Sequence, residues 1–102
     1  MERSIITTNK IKNLFMSVDK VVMYTKSYCP FSKECKHFFD EKGVSYTEKM
    51  VDGDTDLEAE MVMKSDERAD TPQVFINGHH IGSFDDVKAL EASGKLDEVL
   101  NP

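Results

Sequence analysis

At 102 residues, 39% of them hydrophobic, the chain has the size of one small domain with a modest core. A formal charge of −6 and no basic stripe argue against a nucleic-acid partner. No apolar run approaches the roughly 20 residues that span a bilayer, no basic-then-apolar leader opens the sequence, and two cysteines without a secretion signal point to a reducing compartment, the cytoplasm. No repeat or linker divides the chain, so a single domain is expected over residues 1–102.

In chain order, Ile5, Ile6, Ile11, Leu14, Phe15 and Val18 are spaced as on a helix. They predict an N-terminal helical extension over residues 1–18, packed on the domain. Lys20 to Thr25 is β-branched and aromatic, and too short for a helix; it predicts a buried strand. Phe31, Cys35, Phe38 and Phe39 follow i, i+4, i+7, i+8, an amphipathic helix from Pro30 to about Lys42 that Gly43 ends. Val44 to Lys49 predicts a second strand. Thr55 with Glu58 resembles a capping box opening a helix through Leu57, Met61 and Val62.

Pro72 to Ile76 predicts a third strand, Asn77-Gly78 a hairpin turn, and His79 to Ile81 its partner. Ser83 with Asp86 fits another cap, for a helix through Val87 and Leu90. Gly94 interrupts that helix, and Leu96, Val99 and Leu100 resume the pattern. The order helix, β-α-β, helix, β-hairpin, helix predicts an α/β domain. Its four-stranded mixed sheet is flanked by helices and carries an extra N-terminal helix. That is the thioredoxin fold.

Cys29 sits where the first strand hands over to the helix opened by Pro30. Proline suits a first helical turn, which needs no N–H from it. The positive end of the helix favours thiolate over thiol, and thiolate is the nucleophile. Ser32 stands where a redox pair would carry its second cysteine. A lone reactive thiol needs a second thiol from elsewhere.

Four segments then resemble the glutaredoxin family, in its order and spacing: Thr25-Lys26-Ser27-Tyr28-Cys29-Pro30-Phe31-Ser32, Thr71-Pro72-Gln73-Val74-Phe75-Ile76-Asn77-Gly78, His80-Ile81-Gly82, and Asp85-Asp86. The resemblance implies a groove that presents the sulfur of glutathione to Cys29. Lys26 would face a glutathione carboxylate and Tyr28 would line the groove. Thr71 would offer its backbone to the tripeptide, next to Pro72 in the family's cis conformation. Asp85 and Asp86 would hold the γ-glutamyl end, by backbone N–H groups at a helix start and by a carboxylate for the ammonium. Arg68 stands near a position where the family carries a carboxylate-binding basic residue. The chain departs from the family at Asp70-Thr71, where Thr-Val is usual, and at Gly82-Ser83, where paired glycine is usual. Asp70 is expected to point outward or to reduce the affinity for glutathione.

Other residues have plainer readings. Cys35 lies six residues beyond Cys29, about 9 Å along a helix, beyond the reach of a disulfide of less than about 7 Å. It shares a stripe with Phe38 and Phe39 and reads as core. His79 and His80 are strand neighbours on opposite faces, not a metal pair. The acidic run Asp52, Asp54, Asp56, Glu58 and Glu60 has Met63 where a calcium loop needs its final glutamate, and reads as a solvated cap. No metal site is expected.

The resemblance implies a glutathione-dependent thiol-disulfide oxidoreductase that reduces protein–glutathione mixed disulfides by a monothiol route through Cys29. No bound cofactor is required: glutathione is the cosubstrate, glutathionylated proteins are the partners, the glutathione reductase system recycles the product, and a monomer suffices. The alternative is a [2Fe–2S] cluster carrier, a glutathione-bridged dimer using one cysteine per subunit. Pro30 after the cysteine and the absence of tryptophan speak against it.

Overall fold

The computed structural model describes residues 20–102. The helical extension expected over residues 1–18, and its packing, lie outside the described residues. Four strands, β1 (Val21–Thr25), β2 (Thr47–Met50), β3 (Gln73–Ile76) and β4 (His79–Gly82), form one sheet in the order β2-β1-β3-β4. β1 runs parallel to β2 and antiparallel to β3, and β3 runs antiparallel to β4. The helices are α1 (Pro30–Glu41), α2 (Thr55–Lys64), α3 (Phe84–Ala92) and α4 (Leu96–Leu100). This is the thioredoxin-like fold expected from the element order.

The two central strands carry the most apolar sequence because both of their faces are covered. On one face Val21, Met23, Val74 and Ile76 pack against Cys35 and Phe39 of α1, Phe84 and Val87 of α3, and Leu96 and Leu100 of α4. On the other, Tyr24 and Phe75 meet Val51 and Met61, with Leu57 and Val62 of α2 packed alongside. Alternate residues of each strand thus feed opposite cores, as a period of two requires. Burying a side chain such as Phe39, fully inaccessible here, contributes roughly 2–3 kcal/mol. These contacts hold α1 against the face of the sheet, with Cys29 at the helix start just beyond the end of β1.

The turn between β3 and β4 follows the expectation: Asn77 and Gly78 have φ of +52° and +83°, as a two-residue hairpin turn of this hand demands. Several strand ends shift by one residue, and two differences have a structural cause. The second strand begins at Thr47, not Val44, because residues 43–46 serve the exit from α1. Gly43 N–H bonds to Asp40 O at 3.0 Å and Val44 N–H to Phe39 O at 3.0 Å, while Val44 and Tyr46 pack on the core. Pairing with β1 starts only at Val22↔Thr47. The cap of α2 is Asp54, not Thr55: its carboxylate accepts from Leu57 N–H at 3.0 Å. Asp86 does close the start of α3, accepting from the Ser83 N–H at 2.9 Å and hydroxyl at 3.1 Å.

Candidate active site around Cys29

Cys29 is the N-cap of α1, in extended conformation, with Pro30 opening the helix. A tight turn delivers it there: its N–H bonds to Lys26 O at 3.1 Å, and its own carbonyl accepts from Lys33 N–H at 3.2 Å. The carboxylate of Asp52, from the β2–α2 loop, takes the Ser27 N–H at 3.1 Å and also its hydroxyl. So the first acid of the run read as a solvated cap anchors the loop that carries the thiol.

The sulfur is partly exposed and faces Thr71, whose peptide bond to Pro72 is cis. The Thr71 carbonyl lies 3.5 Å from Sγ and accepts from the protonated thiol. The thiolate has its own donors. Burial pushes the Cys29 thiol up, but the Thr71 hydroxyl, the N–H and hydroxyl of Ser32 and the N–H of Phe31 together outweigh it, and hold its pKa below the ordinary thiol value. Ser32 is almost fully buried, and its oxygen accepts from Lys26 N–H at 3.4 Å. Its hydroxyl proton is therefore free to point at sulfur. The helix start acts through specific N–H groups, as expected. The Lys26 charge is not among the causes that lower Cys29; it is felt at Asp52.

Cys35 is fully inaccessible, and burial pushes its thiol up to about 12. It is core, as its helical stripe indicates. Tyr28 and Phe31 flank Cys29 and are 68% and 59% exposed, leaving apolar surface beside the sulfur.

Opposite, Arg68 bridges the Thr71 loop to the start of α3. Its Nε and Nη2 donate to the two carboxylate oxygens of Asp70 at 3.2 and 2.8 Å, and Nη1 lies 3.7 Å from Asp86 Oδ2. Asp70 is thus held along the loop by Arg68. Its carbonyl accepts from Gln73 Nε2 at 2.9 Å, and Gln73 Oε1 is 2.7 Å from His80 Nε2. Gln73 is fully buried, so this link fixes the backbone just before Thr71. Neither the Asp70–Arg68 fork nor the Gln73–His80 link was visible in the motifs, since both depend on the loop's path.

Asp86 folds back over Gly82, where φ is +122° and a β-carbon would stand 2.2 Å from Asp86 Oδ2. Only glycine leaves that carboxylate its place. Asp85 is largely exposed, with Lys88 Nζ at 3.5 Å. The structure thus gathers Cys29, Ser32 and Thr71 around sulfur, and Arg68, Asp70 and Asp86 along the opposing wall. Lys26 contributes its backbone to the thiol's turn.

A metal would find one accessible thiolate here. Among the described residues no three His, Cys, Asp or Glu side chains converge as a metal site, so a cluster would need further thiols from outside the chain.

Comparison with known proteins agrees with this geometry. The glutaredoxin family model matches residues 21–81. Glutaredoxin 3 of Escherichia coli K12 is 42% identical over 80 residues, covering 78% of this chain and 95% of the relative. The solution structure of glutaredoxin from Brucella melitensis superposes with a TM-score of 0.70 at 38% identity, over 82% of this chain and 90% of that one. A buckwheat glutaredoxin–glutathione complex superposes with a TM-score of 0.74 at 26% identity, over 98% and 93% of the two chains.

Proposed function

Because the chain belongs to the glutaredoxin family, and thus to the thiol-disulfide oxidoreductases, we propose that it is glutathione-dependent and reduces protein–glutathione mixed disulfides by a monothiol route. The observation that carries this reading is the single accessible thiol at the start of α1, ringed by thiolate donors, with the only other cysteine sealed in the core. The solved buckwheat complex supports glutathione as the cosubstrate.

In the first step the Cys29 thiolate attacks the glutathionyl sulfur of the mixed disulfide. A Cys29–glutathione bond forms, the original S–S bond breaks, and the client protein leaves as thiolate and takes a proton from water. In the second step a glutathione thiolate attacks that bond, releasing glutathione disulfide and restoring the Cys29 thiolate. A low-pKa thiol serves both steps, as nucleophile and then as leaving group. Glutathione reductase with NADPH would return the disulfide to glutathione.

Each candidate residue has a role in this scheme. Thr71, beside Pro72, offers its backbone to the tripeptide, and Tyr28 lines the groove. Lys26 and Arg68 are the cations available to the two carboxylates of glutathione. The α3 start at Asp85 offers N–H groups to a carboxylate, and Asp86 offers charge to the ammonium. Clients dock through their glutathionyl group to a monomer in a reducing compartment, the cytoplasm. Reduction of disulfides within one protein should be weak, because Ser32 removes the second thiol.

The test is glutathione-dependent reduction of a glutathionylated peptide, coupled to NADPH loss through glutathione reductase. Turnover that disappears in Cys29→Ser and survives in Cys35→Ala supports the monothiol enzyme. Negligible turnover by the unaltered protein refutes it, and anaerobic cluster reconstitution then becomes the test of the carrier alternative.

A further inference from the structure

We infer that Asp70 is a built-in competitor for the substrate: its carboxylate occupies the forked edge of Arg68 that a carboxylate of glutathione would otherwise take, and so sets the affinity of the groove. The inference rests on the reading that glutathione lies along the Thr71 loop.

Guanidinium binds a carboxylate best through two parallel N–H groups. In Arg68 that pair, Nε and Nη2, is already engaged with both oxygens of Asp70. The remaining nitrogen, Nη1, faces Asp86. The Arg68 charge is therefore opposed by two carboxylates, and this part of the wall carries no net positive charge for an incoming anion. The partners are two residues apart, so holding them together costs little chain entropy. Asp86 is not an equal rival for the fork, because its Oδ2 is committed to the N–H and hydroxyl of Ser83.

The pair is also accessible enough to be displaced. The Arg68 and Asp70 side chains are 39% and 57% exposed, and ion pairs at such exposure are weak and exchange with ligands. Hydrogen bonds from Arg68 keep the Asp70 carboxyl below its ordinary range, so it competes as an anion at neutral pH.

The experiment measures binding of S-methylglutathione, which cannot react, by calorimetry at fixed ionic strength. KM and kcat for a glutathionylated peptide are measured beside it. The proteins are wild type, D70N, R68Q and the double variant, with D70S as a second removal of the charge in case D70N folds poorly. Freeing Arg68 should tighten binding about threefold to fivefold, the scale of one exposed ion pair, with the gain in KM rather than kcat. R68Q should weaken binding by the wild type less than it weakens binding by D70N, and should erase the gain when combined with D70N.

Two results overturn the inference while leaving the enzyme reading intact. One is D70N and D70S binding as wild type does. The other is R68Q weakening the wild type as much as it weakens D70N, which means that Arg68 already reaches the ligand. If no variant binds S-methylglutathione, the groove reading fails and takes this inference with it.

Discussion

Replacing Ser32 with alanine isolates what the fourth active-site position does in a protein that has no second cysteine there. Ser32 is 1% exposed, so its hydroxyl meets sulfur without competition from bulk water. It is one of four donors that outweigh burial in lowering the Cys29 pKa. A hydrogen bond to a charged group contributes about 1.5–3 kcal/mol when well buried. The sulfur is only partly buried and three donors remain, so about 1 kcal/mol is the reasonable share, roughly fivefold in the thiol–thiolate equilibrium. The pKa must then move up. Iodoacetamide alkylation of Cys29 should slow about fivefold at a pH below the thiol's pKa, and the two proteins should converge at high pH, where both are fully ionised. The assay is the alkylation rate against pH, with Cys35 silent because it is sealed. Superimposable profiles would refute the claim that Ser32 supports the thiolate and reduce it to a spacer. Ser32→Ala also leaves Lys26 N–H without its acceptor, so melting should be followed to show that the fold persists.

Three other outcomes follow from the same structure. Cys35 should resist alkylation until the protein unfolds, being inaccessible with its thiol pushed up to about 12; Cys35→Ala should cost about 1–2 kcal/mol in denaturant unfolding for the void it leaves. Gly82→Ala should cost roughly 2–3 kcal/mol by the same assay, combining a positive φ with displacement of Asp86 from the α3 cap. Asp86, Asp70 and Glu48 are all held below their ordinary carboxyl values, Asp86 chiefly by Ser83 and Asp70 by Arg68, and Glu48, despite burial that raises it, by Thr25 and Lys36. Depressed carboxyls stabilise the fold fully above their unfolded values of 3.8 or 4.5 and lose that contribution as pH falls through the folded ones. The melting temperature should therefore be level near pH 6 and drop below about pH 4, more shallowly in Asp86→Asn; a level acid limb contradicts this.

What the sequence reveals, and what it hides, follows from which forces leave a pattern. β1, β3, the Asn77-Gly78 turn and the break at Gly94 were legible because burial and positive φ select residue types directly. The start of β2 was not, because Val44 and Tyr46 are apolar for packing against α1, and their alternation looks the same as that of a paired strand. Asp54 displaced Thr55 as a cap because two adjacent capping residues compete, and only backbone geometry decides between them. At the site, Cys29, Pro30 and Thr71 were legible from the motif. The Arg68–Asp70 fork was not, since it depends on a loop that turns through left-handed Asp66 and Glu67, at φ +61° and +71°. Asp enters that region more readily than most residues and Glu does not, but neither type demands it.

The most direct test of the central claim is peptide mapping by mass after brief exposure to oxidised glutathione. A single glutathionyl adduct on Cys29, removed by added glutathione, is the predicted result. An adduct on Cys35, or a Cys29–Cys35 disulfide in place of any adduct, would contradict a monothiol site over a sealed core cysteine.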